Sequence, residues 1–188
     1  MGFINLNDKT NNRTGLLPEG IYEMRIHNVV DDASPNGHEN LNFDFVVRDD
    51  LDKVSELRNT NALAHGRHFY ASVWTAKDKQ TGEDTGRFDP ADLANIADAI
   101  GLTQDEVDKQ INSKEDLMHI CIDKCIRIRV SVYSNTYKGK TRKQNSTFTN
   151  SWCQTKFPLQ GTKQTAQVED PFKGNEGAAD LTDKDIPF

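Results

Sequence analysis

The spacing of apolar residues changes twice along this chain, and that change limits its fold more than anything else. From Gly20 to Val30 the apolar side chains fall on alternate positions, with Tyr22, Met24 and Ile26 against Glu23, Arg25 and His27. Leu41 to Arg48 repeats the pattern with Leu41, Phe43, Phe45 and Val47. His68 to Thr75 repeats it again, with Phe69, Ala71 and Val73 against His68, Tyr70, Ser72 and Trp74. Alternation of this kind predicts half-buried strands. After Asp89 the spacing lengthens. Leu93, Ile96, Ala97 and Ile100 recur at helical intervals, behind an Asp89 cap and Pro90, and ahead of Gly101. Thr103 and Glu106 form a capping box for a short second helix through Ile111. From Lys124 the strand period returns, with Ile126, Ile128, Val130 and Val132 against Arg127, Arg129, Ser131 and Tyr133. Ser146 to Cys153 makes a fifth strand.

Three strands, a helical insertion and two strands form a mainly β chain. The expected architecture is an OB-fold-like five-stranded barrel with its helical insertion between strands 3 and 4. Residues 1–19 read as an N-terminal arm, 20–157 as the barrel domain, and 158–188 as a flexible acidic tail, because Gly, Gln, Thr and acids replace any apolar period there. The turn-rich stretch Asp31–Asn40 and the basic stretch Tyr137–Asn145 are the expected loops between strands one and two and strands four and five. Asp49–Gly66 is a long polar connection, and Thr81–Gly86 a loop.

The net charge of −6 conceals a strong asymmetry. Lys124, Arg127, Arg129, Lys138, Lys140, Arg142, Lys143, Lys156 and Lys163 lie in a stretch, Lys124–Lys163, that holds no acid. From Ala166 onward, six acids face two lysines. A cationic block with interleaved aromatic residues is the footprint of a polyanion ligand. No apolar run approaches the ~20 residues that cross a bilayer. The first residues lack a basic-then-apolar leader, so a cytoplasmic protein without membrane partners is expected. Three cysteines fit reduced thiols better than a disulfide framework.

Single-stranded nucleic acid presents phosphates and unstacked base faces, which call for cations beside flat aromatic rings. Arg127, Arg129 and Tyr133 share the strand face opposite the Ile/Val core. Tyr137, Lys138, Lys140, Arg142 and Lys143 follow in the basic loop. On strand three, Tyr70 and Trp74 point away from Phe69 and Val73, and Arg67 stands at the strand's start. Trp152 extends this surface or joins the barrel core, while Phe148 is assigned to the core. Packing of Tyr70 and Trp74 beneath the long connection or the helices is the competing reading. The groove chemistry does not separate DNA from RNA and implies no base code.

The sequence Asp183-Lys184-Asp185-Ile186-Pro187-Phe188 places large apolar residues in a polar, acidic context. Ile186 and Phe188 suit an apolar pocket on another protein, Pro187 stiffens the peptide, and Asp183, Asp185 and the terminal carboxylate suit basic residues around that pocket. This segment resembles the C-terminal tip of bacterial single-stranded DNA-binding proteins. The resemblance implies a protein that coats single-stranded DNA with little sequence specificity in replication, recombination or repair, and recruits partner proteins through Asp183, Asp185, Ile186, Pro187 and Phe188. Leu17-Pro18-Glu19-Gly20-Ile21-Tyr22 is similar to the start of small phage-encoded members. The usual cellular N-terminal strand sequence is missing and the linker is short, which favours a phage-type member, dimeric rather than tetrameric.

Other readings remain. His119, Cys121 and Cys125, with Cys153, His65 or His68, could be drawn as a zinc site, but the spacing matches no zinc ribbon. No Walker loop, nucleophile elbow or metal-nuclease spacing is present, so no enzyme and no cofactor are expected; a zinc-dependent nucleic-acid enzyme is the minor alternative. An adaptor that displays the tip without binding DNA is the other.

Overall fold

The computed structural model describes residues 15–159 apart from Lys138. The alternating segments fold as strands because each can bury one side. β1 (Gly20–Ala33), β2 (Glu39–Val47) and β3 (His68–Lys77) form an antiparallel meander. β1 pairs along Gly20–Arg25 with β5 (Cys125–Tyr137), so it is shared between two halves of the sheet. β4 (Asp84–Phe88) extends the edge beyond β3, and β6 (Lys140–Ser146) the edge beyond β5. The strand order is β4-β3-β2-β1-β5-β6, with β7 (Trp152–Gln154) also paired to β5. Among the described residues no ladder joins the β5–β7 side to β3 or β4, so the sheet is open.

Its inner face carries the core. Tyr22, Met24, Ile26, Leu41, Phe43, Phe45, Val47, Ile126 and Ile128 are fully buried. A β-bulge between Ile26 and Asn28 inserts one residue into β1, so that Val29 takes the inward position after Ile26. Trp152 is 4% exposed and stands edge-on to both Phe43 and Phe45, with ring centroids 5.1 Å apart in each pair.

Three expectations change. Among the described residues the sheet has seven strands, not five. The segment expected as the Thr81–Gly86 loop contributes to β4, and the expected Tyr137–Asn145 loop is mostly β6. Both are polar, and a strand wet on both faces carries no apolar alternation. The expected Ser146–Cys153 strand is broken by a 3-10 turn at Thr149–Ser151. That turn reverses the two aromatic assignments: Trp152 goes into the core, and Phe148 is 73% exposed.

The helical insertion lies between β4 and β5. Asp89 Oδ1 accepts the Ala91 N–H at 2.9 Å and starts α2 (Pro90–Ala99), after a short α1 (Asn61–Ala64) in the long connection. Gly101, at φ +79°, turns the chain out of α2. The Thr103–Glu106 capping box opens α3 (Gln104–Gln110). Ser113 then caps α4 (Lys114–Cys121), a helix the apolar spacing did not predict. α2 packs on β7, and α4 on β1.

A buried polar bracket fixes the end of the domain. The Glu23 carboxylate, fully buried, accepts from the Thr155 hydroxyl and the Lys156 N–H. Arg48 donates to the Phe157 carbonyl and the Thr155 hydroxyl, and holds Asp50 through two bonds. The Asn61 amide accepts from Glu23 N–H and donates to the carbonyls of Glu23 and Arg48. Each buried polar group therefore finds a partner within the bracket.

Candidate nucleic-acid interface

Register decides which side chains share the outer face. In an antiparallel ladder, directly opposed residues project to the same side. Tyr70 opposes Asp44, Ser72 opposes Asn42 and Trp74 opposes Asn40. Their inward neighbours Phe69 and Val73 are buried, so these three pairs face outward. Tyr70 is 62% exposed and Trp74 41%. The strands leave both rings exposed on the outer face rather than beneath the connection or the helices.

These rings have imidazole neighbours. His68 lies nearly parallel to Tyr70, 20° apart in plane at 6.2 Å, and His27 meets His68 edge-on at 5.5 Å. His38 leans on Trp74 at 4.9 Å. His68 Nδ1 is 2.7 Å from Asp44, and His38 Nε2 is 3.0 Å from the Thr75 carbonyl. The alternation already put His27 and His68 on the polar side of their strands. His38 and Asn40 fall in the Asp31–Asn40 stretch expected as a turn, which has no period, although Asn40 belongs to β2.

The same outer face continues across β1 onto β5. Ile21 opposes Arg129, and Glu23 opposes Arg127. Further along, Tyr133 opposes Gln144, Asn135 opposes Arg142, and the β5 end at Tyr137 opposes Lys140. The Tyr133 hydroxyl donates to Gln144 at 2.7 Å, which confirms that this pair shares a side. Arg127, Arg129, Tyr133, Lys140 and Arg142 thus line one face, reached from β3 across three strand spacings, roughly 15 Å. Lys143, opposite Ser134, lies on the other face of the hairpin. The strand geometry divides cations that a loop would have pooled. Among the described residues, none of these five cations is in an ion pair.

Other expected site residues fall elsewhere. Arg67 shares the parity of Phe69, and its guanidinium binds the Gly15 carbonyl, so it is not brought to the Tyr70–Trp74 face. Trp152 is core and offers no surface for stacking. Lys138 lies outside the described residues, as do Asp183, Asp185, Ile186, Pro187 and Phe188 and the rest of the acidic tail.

The helical insertion has the opposite charge to the hairpin. Asp89, Asp92, Asp98, Asp105, Glu106, Asp108, Glu115 and Asp116 face only Lys109 and Lys114 within that stretch. An apolar groove of about 440 Å³ runs between its helices, lined by Leu93, Ala97, Leu102, Val107, Ile111 and Leu117. Of the thiols in the zinc reading, Cys121 is pushed up to about 12 by burial and so stays protonated at neutral pH. Among the described residues no three His, Cys, Asp or Glu side chains cluster as metal ligands. Among the same residues, no helix is long and apolar enough to cross a membrane. Searches against protein-family models and curated proteins returned no match for this chain.

Proposed function

We propose that this chain is a non-catalytic single-stranded DNA-binding protein of OB type, similar to phage-encoded members of that class. It would coat DNA with little sequence preference in replication or recombination, in the cytoplasm of a bacterium or an infected host. One observation carries this reading: exposed rings on β3 and β5 share an outer face with a cationic hairpin whose own sequence holds no acid. Bases stack on Tyr70, Trp74 and Tyr133 while Arg127, Arg129, Lys140 and Arg142 follow the phosphates. β1 supports the barrel assignment, since it pairs with β2 at one end and β5 at the other, as a strand bridging two halves of a barrel would. The Asp183–Phe188 sequence supports DNA over RNA and recruitment of replication or recombination proteins; a homodimer fits better than a tetramer.

An adaptor that holds proteins and no DNA draws on the apolar groove between α2, α3 and α4. Titrating the protein with oligo-dT while following tryptophan fluorescence separates the two. Binding is expected at low salt, with Trp74 quenched and affinity falling at a log-log slope of about −0.7 per neutralised phosphate. No affinity at low salt would leave the adaptor reading standing alone.

A further inference from the structure

We infer that Asn40 contacts a base directly, accepting a hydrogen bond from the N–H on the Watson–Crick edge of the base stacked on Trp74. This inference rests on the single-strand-binding reading above and adds a hydrogen-bonding position to it. Asn40 opposes Trp74 on β3 and Asp32 on β1, which places it on the outer face of the middle strand. It is nevertheless only 3% exposed, and its Oδ1 is buried without any hydrogen-bond partner. Among the described residues it is the single buried side-chain polar atom in that condition.

Other asparagine amides behave differently. Asn61 spends its carbonyl and amino group on three backbone partners, Asn145 holds both polar groups of Leu17, and the Asn42 carbonyl accepts from Ser72. A buried acceptor without a donor is costly, and a leucine of the same shape would avoid that cost. An asparagine kept there fits a donor that arrives with a ligand.

The chemistry narrows that ligand. Oδ1 only accepts, so a phosphate oxygen is excluded as its partner. A base lying on the neighbouring indole presents N–H donors along its pairing edge: the N3–H of thymine, or the exocyclic amino groups of adenine and cytosine.

The test compares a thymidine oligomer with the same oligomer methylated at every N3, against the wild-type protein and Asn40→Leu. The wild type is expected to bind the methylated strand about five- to tenfold more weakly, the effect of one lost hydrogen bond. Asn40→Leu should bind both strands alike, at the wild type's methylated level, with a thermal midpoint equal to or above wild type. Since leucine keeps the shape of asparagine, a steric effect of the methyl group would leave the gap intact in the variant, and that result overturns the inference. Equal binding of both strands by the wild type also overturns it, and leaves the single-strand reading untouched. Failure of the wild type to bind either strand at low salt defeats both. Should Asn40→Leu not fold, Asn40→Ala carries the same comparison.

Discussion

The outer face of β3 and the β5–β6 hairpin differ in what holds them. Tyr70 and Trp74 stand on a strand whose other side is sunk into the core through Phe69 and Val73. Lys140, Arg142 and Lys143 stand on a strand exposed along most of its length. Stacking requires a ring fixed in position and angle, so platforms belong on a strand seated in the core. Charge acts across about 8–10 Å at physiological salt and tolerates loose placement. A projecting hairpin with no core is therefore adequate for cations and poor for rings. Tyr133 lies where the two regimes meet, tied by its hydroxyl to Gln144.

The difference can be broken from the core side first. Trp152→Ala removes the ring packed on Phe43 and Phe45 and should cost about 3–5 kcal/mol of stability. A thermal or urea melt would measure it, and a loss below about 1 kcal/mol would mean that Trp152 is not the core residue its burial indicates. Next comes the charged face. Arg129, Lys140 and Arg142 changed together to Ala should lower affinity for oligo-dT on the order of a hundredfold at low salt and reduce the salt slope by about 2. Lys143→Ala, on the other face of the hairpin, should change the slope by much less. Equal effects per residue would show that the two faces do not act separately.

Much of this was legible beforehand, and the gaps have physical causes. The strands that bury one side announced themselves by period, and α2 and α3 by their caps. β4 and β6 bury nearly nothing, so no alternation marks them. α4 is short, and its apolar residues Leu117, Met118, Ile120 and Cys121 crowd together; Ser113 and Asp116 were the overlooked signal of its start. Phe148 and Trp152 have strand parity in sequence, but the turn at Thr149–Ser151 breaks it, and nothing local announces that turn. At the candidate site, the exposed rings and the hairpin cations could be read from parity. The separation of Lys143 from Arg142 could not, because it depends on a strand where a loop was expected.

Smaller effects sharpen the contrast. Tyr70→Ala or Trp74→Ala should each weaken binding by ~1–3 kcal/mol while leaving the salt slope unchanged. A changed slope would mean that those rings also organise charge. The smallest expected effect concerns pH. The Arg48 guanidinium, bonded twice to Asp50, holds its carboxyl below the usual carboxylate range. A group lowered in the folded state adds stability that is present above its unfolded value and is lost as pH falls through its folded value. Asp50→Asn should therefore flatten the acid limb of a stability-against-pH curve, modestly, because Asp50 is half exposed to solvent. An unchanged limb would assign acid sensitivity to other carboxylates.

The bracket at Thr155–Phe157 also has a mechanical consequence. β7 is three residues long and would unzip from β5 if the chain beyond it were pulled. Glu23 and Arg48 grip the backbone just past that strand, so traction from the C-terminal direction loads β1 and the end of β2 first. The mooring point is a strand paired on both sides, to β2 and to β5, and the three-residue β7 is spared the strain.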